Sequence, residues 1–156
     1  MHRLLVCLLL LTAIAPARAE ALTPGAWRLV TRIVALDPDG GPDRVLTQSR
    51  TTNCMSPEFV ASNPYQDAEK DNRDIGGHAC QTRNYSRSGD TATWEMSCTT
   101  AGIGRSEGWV SATVTAHDLE TEMRLTAYLN DGRVQILRYK TDGQYVGVCT
   151  SGMEPP

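Results

Sequence analysis

Between Thr91 and Cys98 the chain alternates without a break, with Ala92, Trp94, Met96 and Cys98 on one side and Thr91, Thr93, Glu95 and Ser97 on the other. Successive side chains of a strand point to opposite faces, so this period of two predicts a strand that turns Trp94 and Cys98 inward together. The pattern recurs from Trp109 to Ala116, where Val110, Ala112, Val114 and Ala116 oppose Ser111, Thr113 and Thr115. After a turn at His117 to Glu120 it returns, with Met123, Leu125, Ala127 and Leu129 opposing Glu122, Arg124, Thr126 and Tyr128. Asn130-Asp131-Gly132 then tolerates the positive φ of a tight hairpin and leads into a strand from Val134 to Lys140. A last short strand is expected from Gln144 to Cys149, after Asp142-Gly143.

Upstream, Ala26 to Leu36 is apolar and β-branched with Arg interposed, and it ends in the turn-rich run Asp37 to Pro42. Arg44 to Asn53 completes a hairpin, and Cys80 to Arg87 pairs with Thr91 to Cys98 around Ser88-Gly89-Asp90. Ser56-Pro57-Glu58 reads as an N-cap with proline at the first helical position, and Pro64 limits that helix to Pro57 to Ser62. The polar run from 63 to 77 reads as a surface loop. Eight strand candidates joined mostly by short turns predict an all-β, antiparallel meander forming a sandwich or a partly closed barrel, with one short helix after Cys54.

The first residues follow a different logic. A basic start at His2-Arg3, an apolar run from Leu4 to Ala15 and the small-x-small triplet Ala17-Arg18-Ala19 have the layout of a secretory signal. The apolar run is too short to cross a bilayer, which takes about 20 residues. Residues 1–19 are therefore expected to be cleaved, leaving 20–156 as a single β-rich domain in the periplasm or outside the cell. No other segment has transmembrane length. Without Arg3 and Arg18 the 18 acidic residues outnumber the basic ones, and the cations are spread along the chain. Nucleic acid is not an expected partner.

Cys7 leaves with the signal, so the mature chain keeps Cys54, Cys80, Cys98 and Cys149, an even number that implies two disulfides in an oxidising compartment. Three connectivities are open, and the sequential pairs Cys54–Cys80 and Cys98–Cys149 are the expected ones, the first bridging the loop at 63–77. Zinc would use the same cysteines with His78 and His117. Only His78-Ala79-Cys80 has ligands close together, so no metal and no cofactor is expected.

Catalytic motifs fail on their own requirements. Gly104-Arg105-Ser106-Glu107-Gly108 has the spacing of a nucleophile elbow, but a strand-like run follows it where the elbow needs a helix. The one later histidine is His117, with no Asp between. These glycines read as a loop or bulge entering a strand. Asp67-Ala68-Glu69-Lys70-Asp71, with Asp74 beyond it, lacks the glycine and the distal glutamate of a calcium loop. Glu95 with Glu107, or Glu120 with Glu122, lie on polar strand faces or at turns and show no sign of the cleft that a glycosidase pair requires. His117-Asp118 reads as a polar turn, and Asn84-Tyr85-Ser86 fits the N-glycosylation pattern. In a chain with one Phe, Trp27, Trp94 and Trp109 are the large core candidates. Trp27 and Trp109 each follow glycine or begin a strand closely after it, and are the candidates for the mouth of a binding cavity.

Leu22-Thr23-Pro24-Gly25-Ala26-Trp27, Cys54 followed by Ser-Pro-Glu after one Met, the block from Cys80 through Trp94 to Cys98, and the closing Gly147-Val148-Cys149 resemble the exported bacterial proteins catalogued as domain of unknown function family 3617. The resemblance implies a small periplasmic or secreted β-rich protein of Gram-negative bacteria with four paired cysteines, and it carries no activity. The expected role is binding without catalysis, either of a small apolar, lipid-like ligand on a curved sheet or of a periplasmic protein at an edge or loop. The alternative is a small periplasmic hydrolase with an unrecognised site.

Overall fold

The computed structural model describes residues 22–62, 78–102 and 104–155. Its strands are β1 (Gly25–Leu36), β2 (Arg44–Met55), β3 (His78–Ser88), β4 (Thr91–Thr100), β5 (Gly104–Val114), β6 (Asp118–Leu129) and β7 (Val134–Gly147). The helix α1 (Pro57–Ser62) stands where the capping signal put it. Ser56 Oγ accepts a hydrogen bond from the Phe59 N–H at 3.1 Å, satisfying a donor that the first turn leaves free. The secretory segment and the acidic run at 67–74 lie outside the described residues.

The seven strands form one antiparallel sheet in the order β2-β1-β7-β6-β5-β4-β3. The expected sandwich or partly closed barrel is therefore corrected, as is the count of eight strands. The last two candidates are one strand because Asp142 and Gly143 continue the ladder on both sides, opposite Val30 and Leu29 of β1 and opposite Glu120 and Leu119 of β6. Tight turns join β3 to β7 successively, so sequence neighbours become sheet neighbours and no crossover feeds a second sheet. Closure would need β2 to pair with β3. Instead the outer edge of β2 is occupied near Cys54, whose N–H donates to Glu154 O at 2.8 Å, and Asn53 bridges Glu154 in parallel.

Turn chemistry fixes the register. At the β6–β7 hairpin Gly132 takes φ 84°, which only glycine adopts freely, and Asp131 accepts from the Arg133 backbone N–H at 3.0 Å. The expected turn at His117 to Glu120 is shorter than the sequence suggests. Asp118 already belongs to β6, because Thr115 Oγ1 accepts from its N–H at 3.0 Å and the Thr115 N–H donates to Asp118 O at 2.9 Å.

Directly opposed residues of an antiparallel pair share a face. One face carries Val114, Leu119, Gly143 and Leu29 in a row across β5, β6, β7 and β1. Around this row Leu22, Trp27, Met55, Val114 and Leu119 form the buried core, with Leu29, Phe59, Val60 and Tyr145 packed against it. Trp27 is fully buried, meets Tyr145 edge-on with ring centroids 6.0 Å apart, and donates its indole N–H to Thr23 O at 2.9 Å. The core is thus gathered at one end of the sheet, beneath α1.

The disulfides also differ from the expected pairs: they are Cys80–Cys98 and Cys54–Cys149. Cys80 and Cys98 are opposite each other in the β3–β4 ladder, with Cα atoms 4.0 Å apart. Cys54 lies beside Ala26, which pairs with Gly147, so the chain leaving β7 delivers Cys149 to the end of β2. With separations of 18 and 95 residues, the chain-entropy model gives about 3 and about 4.7 kcal/mol.

Non-reducing peptide mapping will return Cys54–Cys149 and Cys80–Cys98 and no Cys54–Cys80 peptide. A Cβ at position 143 would meet Leu29 Cδ2 at 2.9 Å and Leu119 Cβ at 3.1 Å, so Gly143→Ala will lower stability by about 1–3 kcal/mol in urea unfolding. A third expectation concerns pH. The Glu58 carboxyl is held below its ordinary range by its backbone N–H and the Ser56 hydroxyl. A depressed folded-state pKa stabilises above the unfolded value and is lost as pH falls through the folded one. The urea midpoints of the wild type and Glu58→Gln will therefore differ near neutral pH and converge in acid.

Candidate functional site

Beyond the core comes a row of Ala92, Ala112, Thr121, Thr141 and Thr31, after which apolar residues resume toward the other end of the sheet. One row runs Trp94, Val110, Met123, Tyr139, Ile33 across five strands, and the next runs Met96, Gly108, Leu125, Leu137, Ala35. Val110 and Leu125 are buried, while Trp94, Met96, Met123, Leu137, Tyr139 and Ile33 are only half-buried. Trp94 was expected as a core anchor; it points to the apolar face but does not reach the buried cluster. Gly108 lets β5 draw close to β6, since a Cβ there would run into Arg124 O and Leu125. It belongs, with Gly104, to the regular strand β5 and not to a loop or bulge.

The opposite face is polar. Trp109 sits there in a row of Arg83, Glu95, Trp109, Arg124 and Arg138 that crosses β3 to β7. It is 44% exposed and lines an open groove of about 490 Å³ with Arg83, Glu95, Ser97 and Glu107. The ladder of β3 and β4 shifts register between Arg83 and Ser86, where Asn84 adopts φ 53°. It is the one non-glycine residue at positive φ among the described residues. This bulge aims the Asn84 amide at Glu95, whose Oε2 accepts from it at 2.8 Å. Glu107 is fixed from its own strand by Arg105, at 2.9 Å.

The two tryptophans proposed for one cavity mouth are therefore separated. Trp27 is sealed in the core on the apolar face, and Trp109 stands in the open on the other. The four cysteines among the described residues are all disulfide-bonded, which removes them as thiolate ligands. Among the described residues no group of three or more His, Cys, Asp or Glu can hold a metal ion. Ser106 and His117 do not meet: Ser106 pairs with Ala127 near the start of β5, and His117 lies beyond its far end against Tyr145. The eight residue steps from Ser106 to Val114 alone span about 26 Å. Of the carboxylate pairs, Glu95 and Glu107 do line one groove, which corrects the expectation that they lack a cleft, whereas Glu120 is engaged by Lys140 at 2.9 Å. That carboxylate, with Asp142 nearby, raises the Lys140 pKa above its ordinary value.

Parity along β5 places Trp109 with Glu107 and Ser111 on the polar face, which corrects its expectation as a core residue. Arg83, Asn84 and Ser97 were not singled out as site residues, because no residue pattern signals the bulge that brings Asn84 onto Glu95.

Residues 22–149 match the sequence model of the family described as Protein of unknown function (DUF3617), and the chain belongs to that family. No curated protein matches it. Among the described residues no helix is long and apolar enough to cross a membrane.

The bulge makes a measurable demand on its residue. Asn84→Ala will cost about 1–2 kcal/mol, since alanine tolerates the left-handed region poorly and the bond to Glu95 is lost. Asn84→Gly will cost less, because it keeps the backbone unstrained. Paired urea titrations compare the two.

Proposed function

We propose that this member of the family is an exported binding domain that holds a slender, lipid-like apolar ligand along the open half of its apolar face, without catalysing a reaction. The observation that supports this reading is the single sheet. A sheet with one hydrophobic face is stable when that face is covered by another layer. Here the core beneath α1 covers one end, and the rows from Trp94 to Ile33 and from Met96 to Ala35 stay half-buried among the described residues.

The form of that surface favours a narrow ligand over a protein partner. The strongly exposed large hydrophobics, Val45, Leu46, Trp109, Val134, Val146 and Val148, all lie outside those two rows. The residues of the rows are half-buried or buried, which suits a thin acyl chain more than a broad protein surface. Met96 and Met123 supply unbranched, polarizable contacts that adapt to a flexible guest. Export to an oxidising compartment is supported by the layout of residues 1–19 and by the two disulfides.

The test is titration of the purified mature chain with the dye N-phenyl-1-naphthylamine, followed by displacement with lauric acid. Micromolar binding is expected, about −8 kcal/mol. Trp94→Ala and Met123→Gln, on the open half, will each weaken it about tenfold while leaving far-UV circular dichroism unchanged. No dye enhancement, or enhancement indifferent to both substitutions, overturns the reading.

A further inference from the structure

We infer that the groove beside Trp109, on the face away from the apolar rows, is a second binding site and that its ligand is a saccharide. An indole exposed on a rigid sheet is a platform for the C–H face of a pyranose ring, which is apolar, flat and of similar width. Trp109 is 44% exposed although large aromatics on a polar strand face gain nothing from water contact. Its surroundings are of the kind that read ring hydroxyls. Glu95 and Glu107 offer paired carboxylate oxygens, Arg83 a planar fork of donors and Ser97 a hydroxyl, all lining one groove of about 490 Å³. That space is open, so a chain can enter along its length and extend beyond it.

The site is organised before any ligand arrives. Asn84 spends an unfavourable backbone conformation, at φ 53°, to donate to Glu95 at 2.8 Å. Strained residues of this kind concentrate at ligand-contacting positions, and bulges are over-represented beside binding sites, where they re-aim a side chain. That bond occupies Glu95 Oε2 and leaves the carboxylate further acceptor capacity for a ligand in the groove. Carboxylates and an indole together also suit a cationic side chain, but Arg83 within the same groove opposes a cation and favours neutral hydroxyls.

The experiment is isothermal titration of the mature chain with chitotriose, cellotriose and maltotriose, with a lysine-rich peptide as comparison. At least one trisaccharide is expected to bind with a Kd of about 1 mM or tighter. Trp109→Ala will abolish that binding, and Trp109→Phe, with a smaller platform, will retain part of it. Both substitutions are at an exposed position and will leave dye binding on the opposite face unchanged, just as Trp94→Ala will leave saccharide binding unchanged. The inference is overturned if none of the trisaccharides binds, if Trp109→Ala binds them as the wild type does, or if the peptide alone binds.

Discussion

The pairing of β1 with β7 is the contact on which the rest of the molecule depends. Without it the chain separates into an N-terminal hairpin, β1–β2, and a five-stranded meander, β3 to β7, joined by α1 and the segment after it. The ladder runs the length of β1, from Ala26 opposite Gly147 to Leu36 opposite Ile136. It unites the two apolar faces into one and sets Leu29 beside Gly143, with Leu119 on the far side. The buried cluster then assembles from both pieces, Trp27 and Met55 from the hairpin, Val114 and Leu119 from the meander. The Cys54–Cys149 bond and the Asn53–Glu154 bridge reinforce the same junction at the end where the core lies.

A single sheet divides its chemistry between two sides, here with a threonine-rich row from Ala92 to Thr31 crossing the apolar face and Trp109 and buried Val34 standing on the polar one. Each row that is apolar across β4 to β1 alternates with one that is charged, so the faces cannot exchange roles without a register slip that would turn every side chain over. The disulfide between Cys80 and Cys98 pins the register of β3, the edge strand, below its bulge. The other edge, β2, is blunted by the C-terminal segment. Unpaired edges invite pairing between chains, and an open sheet survives by managing them.

Much of this was legible in the sequence because the strands announce themselves by period. Alternation placed β4 and the apolar side of β5 and β6, the turns at Gly89 and Gly132 fell where glycine stood, and the helix followed its cap and proline. What failed was everything that depends on contacts distant in sequence. Asp142-Gly143 has the composition of a turn, yet it is mid-strand because β1 and β6 hold both its edges. The Cys54–Cys149 pair followed from that same unseen neighbour, since only when β1 lies between β2 and β7 do the two meet, whereas Cys80–Cys98 lies within the hairpin that the sequence did predict. Trp109 shows the reverse case, since parity with Glu107 sets its face locally, against its expectation as a core residue, and only the groove beside it needed three dimensions.

The bond from Cys54 to Cys149 also orders events in time. Among the described residues Cys54 is the first cysteine along the chain and Cys149 the last, whereas Cys80 and Cys98 belong to a local hairpin. A bond between Cys54 and Cys80 would hold one partner of each native pair, and attack by another thiolate would have to break it before Cys54–Cys149 and Cys80–Cys98 form. The native pair spans 95 residues, so it can close only once β7 and the residues after it are in place, and until then no covalent bond joins the hairpin β1–β2 to the meander.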